Sequence, residues 1–222
     1  MVQQRHEIYR PTHKALRHLM YSTAHELGIA NFRDDVEARD VITSLERTIN
    51  RLVIHAEHEN NYIHPDLENR APGLIASYET DHQNDEKVYA ELKRLAQEAD
   101  RASGDQKVAL GIELYNRFNS FVGDYLGHLV REETELQGAL WDNFTDEELG
   151  AMGRRLIANI PPDQMPEFLT GVCAALNADE LTGMLGRMKA MAPPEMFEGV
   201  MKMAEQAATH SNFEKVRARL SS

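Results

Sequence analysis

The chain has little cysteine, little basic charge and no long apolar stretch. Its 222 residues include one cysteine, Cys173, which excludes an internal disulfide and a cysteine-built zinc or iron–sulfur site within one chain. Lys and Arg number 24 against 36 Asp and Glu, so nucleic acid and anionic membranes are not expected partners. No apolar run approaches the ~18 residues that span a bilayer, and the start MVQQRHEIYR lacks a signal-peptide core. We therefore expect a cytoplasmic protein.

The spacing of apolar residues predicts four long helices within residues 1–144. Asp34 is the expected N-cap of the second helix, and Ser103-Gly104-Asp105 separates the third from the fourth. The predicted helices are Pro11–Leu27, Asp34–Pro65, Leu74–Ala102 and a fourth that ends near Leu140. We predict an all-α fold in which these helices form an antiparallel four-helix bundle.

Residues 145–222 are predicted to form a separate helical extension with a weak 16-residue repeat. The aligned segments begin at Thr145, Pro161, Asn177 and Pro193, and each supplies a helix-starting residue, a first-turn acid and an apolar residue. We expect four short helices followed by a last helix, about Asn212–Leu220. Eight of the ten methionines lie in this extension, where they indicate adaptable core or, alternatively, a partner or substrate surface.

Two segments of the bundle repeat one chemical pattern, His55-x-x-x-Glu59 and His128-x-x-x-Glu132. The spacing places both side chains of a pair on one helix face, one turn apart, within an apolar stripe. His13 and His82 add imidazoles from the other two helices. Burying such groups without partners costs roughly several kcal/mol each, and metal ions would satisfy all six together. Four imidazoles and two carboxylates suit a pair of transition-metal ions, with iron the first choice and manganese or zinc tolerated.

The alternative explanation is that these groups form satisfied buried polar clusters without a metal. One His-x-x-x-Glu pair arises often by chance, but two pairs on apolar stripes, with stripe histidines on other helices, favour the metal site. The remaining histidines are interpreted as surface or helix-end residues: His6, His18, His25, His58, His64 and His210.

The order H…HxxxE…H…HxxxE resembles the hemerythrin-like, or HHE cation-binding, domains. It is similar to the variant in bacterial hemerythrin-like proteins and in the iron-sensing domain of a eukaryotic ubiquitin-ligase subunit. Local sequence agrees at Pro11-Thr-His13, at Tyr62-Ile-His-Pro65 and at Glu132-Glu133. The resemblance covers about residues 6–142 and excludes the C-terminal repeats.

The resemblance implies two iron ions, oxo- or hydroxo-bridged, with Glu59 and Glu132 between them. His13 and His55 would cap one iron, and His82 and His128 the other. Oxygen-carrying hemerythrins have a second histidine one turn from the one on the third helix, where this chain has Tyr78 and Glu86. Tyr78 or Tyr62 would fill the gap as a phenolate, unless both are aromatic core.

This departure argues against reversible oxygen carriage. We expect a di-iron centre that reacts with a small oxidant: peroxide, O₂ or nitric oxide. If the protein is an enzyme, it is an oxidoreductase of a catalase-like, nitric-oxide-handling or oxygenase type. The alternative is an iron- or oxygen-sensing module without turnover, and a homodimer is left open.

Overall fold

The computed structural model describes residues 5–221, and this part of the chain is all-helical, as predicted. No helix among these residues is long and apolar enough to cross a bilayer. The helices in chain order are α1 Arg10–Ile29, α2 Asp35–Tyr62, α3 His64–Arg70, α4 Ala76–Arg101, α5 Gly104–Arg131, α6 Gln137–Asn143, α7 Asp146–Ala158, α8 Met165–Ala175, α9 Ala178–Met191, α10 Pro194–Ala207 and α11 His210–Leu220, with a π-helical turn Glu132–Leu136 between α5 and α6.

The chain divides into two compact units that are not contiguous in sequence. The first comprises the described residues up to Tyr9 together with Leu19–Leu156, and the second comprises Arg10–His18 and the residues from Ile157 onward. The predicted domain boundary after residue 144 therefore differs from this division. Leu149 and Met152 of α7 are buried in one apolar cluster with Leu140 and Phe144, so α7 belongs to the first unit.

The first unit contains the predicted bundle, built from α2, α4, α5 and the Leu19–Ile29 part of α1. Thr23 and Thr48 share a buried hydroxyl hydrogen bond of 2.7 Å between α1 and α2. The Tyr89 and Phe121 rings meet edge to face between α4 and α5, with centroids 5.4 Å apart. Such packing aligns the buried face of each helix with the bundle interior.

The spacing of apolar residues predicts a buried stripe on each of the second, third and fourth helices, and these stripes are buried with two exceptions. Tyr62, placed on the stripe of the second helix, is half-buried, and Tyr115, placed on the stripe of the fourth, is 37% exposed, so the assignment of Tyr115 was wrong. The stripe residues that are buried as predicted are Val41, Leu45, Ile49 and Leu52 on α2, Ile75, Tyr78, Tyr89 and Leu92 on or before α4, and Phe118, Val122, Tyr125 and Leu136 on α5 and the turn after it.

Two helix ends differ from the prediction. The second helix was expected to reach Pro65, but α2 ends at Tyr62 and α3 begins at His64, because a proline at the second position of α3 favours a helix start. The fourth helix continues past Arg131 through the π-helical turn, which inserts a wider helical step at Glu132. Both irregularities lie next to predicted ligands.

The second unit has its own apolar core, which contains Cys173. The buried residues of this core are Val172, Cys173, Leu176, Ala178, Leu181, Leu185, Val200, Ala204, Ala208, Phe213 and Val216. Four of the methionines are partly buried against it: Met184, Met188, Met201 and Met203. Met191 and Met196 are exposed. The four partly buried methionines are therefore core residues, whereas a partner or substrate surface stays a prediction.

We predict that Asp34→Ala lowers the free energy of unfolding by about 1 kcal/mol, because Asp34 caps α2. As predicted, its carboxylate accepts hydrogen bonds from the backbone N–H groups of Val36 at 2.8 Å and Glu37 at 3.2 Å. Urea denaturation of the variant measures the change. Asp34→Asn is the matched control, since asparagine caps equally well, and equal losses in both variants would contradict the assignment.

Candidate metal centre

Three helices of the first unit bring five of the six predicted ligands into the bundle interior. His55 and Glu59 come from α2, His82 from α4, His128 from the last turn of α5, and Glu132 from the π-helical turn that follows it. All five side chains are buried, and the carboxylates of Glu59 and Glu132 are almost completely removed from solvent. The pattern of stripe positions therefore predicted this burial correctly.

Four of these side chains form one compact group. Glu59, His82, His128 and Glu132 each offer a ligand atom, and these atoms lie within 4.8 Å of one another. The Nε2 atom of His82 lies 3.5 Å from Glu59 Oε2 and 3.8 Å from Glu132 Oε1, and that of His128 lies 3.0 Å from Glu132 Oε1. Ligand bonds of roughly 2.0–2.2 Å around one ion separate its donor atoms by about 3–4 Å, so the spacing suits a metal.

His55 approaches the same two carboxylates. Its Nε2 atom lies 3.1 Å from Glu59 Oε1, and the ligand atoms of His55, Glu59 and Glu132 lie within 4.8 Å of one another. Glu59 and Glu132 are thus common to two sets of donors, the arrangement that bridging carboxylates require. His13 is fully buried on α1, but it lies in the Arg10–His18 segment of the second unit, and its role as a ligand remains a prediction.

Side chains behind two of the histidines orient their rings. The Nδ1 atom of His82 lies 3.0 Å from Asn60 Oδ1, and that of His128 lies 3.5 Å from Asp81 Oδ2. Because amide and carboxylate oxygens only accept hydrogen bonds, each Nδ1 carries the proton and donates it. Nε2 then faces Glu59 and Glu132 in both rings, as in metal sites whose histidines are held by an outer hydrogen bond.

The polar groups of the site share protons when no metal is bound. Burial lowers the pKa of His82, but its hydrogen bonds to Glu132 and Glu59 outweigh burial and raise that pKa to about 10. Burial also lowers the pKa of His128, but the hydrogen bond to Glu132 and the charge of Glu132 outweigh burial and raise that pKa overall. For Glu132, burial and the charge of Glu59 raise the pKa, whereas His128 and His82 lower it below its ordinary value overall. In the metal-free site, charged carboxylates therefore lie beside protonated imidazoles.

The two tyrosines predicted as additional ligands occupy different surroundings. Tyr78 is buried, and its hydroxyl donates to Glu135 Oε2 at 2.7 Å. Burial and that hydrogen bond raise the pKa of Tyr78, which favours the neutral phenol over the phenolate. Tyr62 is half-buried, and its ring meets the edge of His58 with centroids 5.8 Å apart. Ligation by either tyrosine stays a prediction.

Sequence reasoning missed an acidic pair on α4 beside the site. Asp81 contacts His128 and also pairs with Arg131. Asp85, one turn later, is half-buried, and burial raises its pKa to about 6 against the opposing charges of His128 and His82. Asp85 lies three residues after His82 and therefore on the same helix face, and Asp81 lies at the edge of that face. Their proximity to His82 in sequence is the signal that could have found them.

The remaining histidines follow the prediction except for one. His6, His18, His25 and His210 are exposed, and His58 is half-buried. His64 begins α3, a helix end as expected, but it is only 2% exposed. Its ring stacks on that of His82, with centroids 5.6 Å apart and planes 8° from parallel. Pro65, which follows His64, is typical of a helix start. This signal could have predicted that His64 begins a new helix and is not a surface residue at the end of α2.

The donor set fits a transition metal. Imidazole nitrogen and carboxylate oxygen are ligands for iron, manganese and zinc, and the two carboxylates supply negative charge that a cation offsets. Each of the two donor sets contains at least one histidine and both carboxylates. The arrangement can therefore hold metal, and its geometry leaves the identity of the metal open.

Comparisons with known proteins agree with this geometry. The family model of the hemerythrin HHE cation-binding domain matches residues 5–140. The chain is 25% identical over 181 residues to F-box/LRR-repeat protein 5 of Salmo salar, which covers 79% of this chain and 25% of that protein. The proteins of the same name from Xenopus tropicalis and Mus musculus are 23% and 25% identical over 176 residues.

The chain spans about a quarter of the length of these curated relatives. Because the aligned 79% of this chain is longer than residues 5–140, the similarity continues into the C-terminal helices. The family match covers more than half of the chain, including all six predicted ligands. The chain therefore belongs to the hemerythrin HHE cation-binding domain family.

Proposed function

We propose that this chain holds two iron ions and uses them to react with a small oxidant: peroxide, O₂ or nitric oxide. The observation that carries the proposal is that Glu59 and Glu132, both buried, are shared by two sets of donors. His82 and His128 would hold one ion and His55 the other. The family pattern adds His13 to the second set. When bound, the iron pair supplies one-electron chemistry that the side chains lack.

The residues of the chain have separate tasks in this proposal. Glu59 and Glu132 would hold both ions and offset their charge. Asn60 and Asp81 hold Nδ1–H of His82 and His128, so that each Nε2 lone pair faces the carboxylates. The aromatic rings of Tyr125 and Tyr78 lie 5.4 and 6.0 Å from that of His128 and exclude bulk water on that side. A dry site strengthens the electrostatic interactions within it.

A second candidate function is a metal-dependent binding module that changes its stability, without turnover, when iron is lost. The relatives favour it, because their name states an F-box and leucine-rich repeats, and this chain matches only about a quarter of their length. Losing the ions would leave two adjacent buried carboxylates to be balanced by protons alone. Turnover distinguishes the candidates, since an enzyme consumes the oxidant in large molar excess and a sensor does not.

We predict that the iron-loaded chain contains two irons and consumes peroxide or nitric oxide catalytically. His128→Ala should reduce the metal content below two per chain and abolish consumption, because it removes a ligand. Metal analysis and an oxidant electrode measure both quantities, and His25→Ala, at an exposed histidine, is the control. Two tightly bound metals with no turnover would favour the binding module, and a full complement of metal in His128→Ala would contradict the ligand assignment.

We predict that Asp81→Asn weakens metal binding about 10- to 100-fold, because the carboxylate behind His128 makes that imidazole a stronger ligand. Competition with a chelator measures the affinity. Asp100→Asn, an exposed aspartate on the same helix, controls for the charge change. Arg131→Gln removes the ion pair with Asp81 but keeps the contact with His128. An equal loss in Arg131→Gln would assign the effect to the ion pair instead.

We predict opposite pH dependences for the metal-free and metal-bound protein. The raised pKa of His82, about 10 against about 6.5 unfolded, stabilises the metal-free fold fully below pH 6.5 and less as the pH rises toward 10. Metal displaces this proton, so affinity should rise with pH by up to about tenfold per unit for each proton released. Melting temperatures without metal and chelator competition between pH 6.5 and 8.5 measure both trends, and flat profiles would contradict them.

A further inference from the structure

His64 is a buried histidine that has no role in the function proposed above. It is 2% exposed, and neither ring nitrogen has a hydrogen-bond partner among the residues that the structure describes. A buried polar group left in that condition destabilises the fold, and a leucine at the same position would avoid this cost. Such a group in a stable fold indicates a partner that the protein side chains do not provide.

The helix break positions His64 toward the metal centre. In an uninterrupted helix, residue 64 would lie about 140° around the axis from Glu59. The backbone leaves regular helical geometry at Ile63, with φ −116° and ψ −55°, and His64 then begins α3. Burial lowers the pKa of His64. Among the charged groups around the ring, Glu59 has the largest effect on this pKa and raises it, and Glu132 also raises it. These are the two carboxylates that both donor sets share.

The relation of His64 to His82 resembles that of two imidazoles on one ion. The ring centroids of His64 and His82 are 5.6 Å apart, and those of His82 and His128 are 5.1 Å apart. The latter pair belongs to one group of donor atoms. The ring of His64 therefore lies about as far from the ring of His82 as the ring of His128 does, and this spacing is compatible with imidazoles that share one ion.

We propose that His64 supplies a third imidazole to the metal ion held by His82 and His128. This inference rests on the proposed two-metal centre. It accounts for the missing second histidine of α4, because an imidazole from the start of α3 takes that place. It also gives the Nε2 or Nδ1 atom of His64 the partner that it lacks, and it leaves Tyr78 free to remain a neutral phenol bonded to Glu135.

The test is a cobalt(II) titration of the metal-free chain and of two variants. Cobalt(II) has no redox turnover under these conditions, and its visible absorption reports the number and type of ligands. His64→Phe keeps an aromatic ring that can stack on His82 but cannot bind metal. His64→Ala opens a space that free imidazole can enter. His25→Ala is the control, and circular dichroism with a melting curve establishes that each variant is folded.

We expect His64→Phe to bind one of the two cobalt ions at least 10-fold more weakly than the unaltered chain, with an altered visible spectrum. His64→Ala should show the same loss, and millimolar imidazole should restore the affinity and spectrum. If His64→Phe keeps the affinity and spectrum of the unaltered chain, His64 only packs on His82 and the inference is overturned. If the unaltered chain itself binds fewer than two ions, the two-metal proposal fails instead, a result visible before any variant is measured. His64→Phe decides the question if His64→Ala does not fold.

Discussion

The structure of the first unit depends on two buried carboxylates that lie side by side. Glu59 and Glu132 are 1% and 0% exposed, and each acts on the other to raise the energy of its charged form. Two adjacent charges of one sign in a bundle interior are strongly unfavourable unless cations are held against them. In the metal-free chain, protons on His82 and His128 serve this purpose. In the proposed function, two metal ions do, and the same imidazoles become neutral ligands.

The surroundings of the two rings differ in a way that bears on reactivity. His82 donates to the neutral amide of Asn60, whereas His128 faces Asp81, a carboxylate already paired with Arg131. Of these two histidines, His128 is thus the one whose partner continues into a charged pair. If His64 completes the donor set of His82 and His128, a small oxidant would have more room at the donor set that includes His55.

Membership of the HHE family leaves enzyme and sensor as separate outcomes, because both would use the same donor set. What separates them physically is access to the ions and the response of the fold to their loss. We expect the fold to respond to such loss where its helices are irregular, and the break at Ile63 and the π-helical turn from Glu132 both adjoin proposed ligands. A continuous helix would resist the same change more strongly, since its hydrogen bonds are not interrupted.

The helices and the buried positions of the site could be predicted from the sequence pattern. The periodicity of apolar residues was sufficient for this prediction, because the geometry of one helix sets the direction of each of its side chains. Each His-x-x-x-Glu pair lies on the apolar face of its own helix. The contacts between residues of different helices depend on the tertiary structure. Asp81 lies just outside the stripe of α4 yet contacts His128, and His64 is buried because α2 ends at Tyr62 and the chain turns. Such contacts depend on how the helices pack against one another, and the periodicity of residues within one helix does not specify that packing.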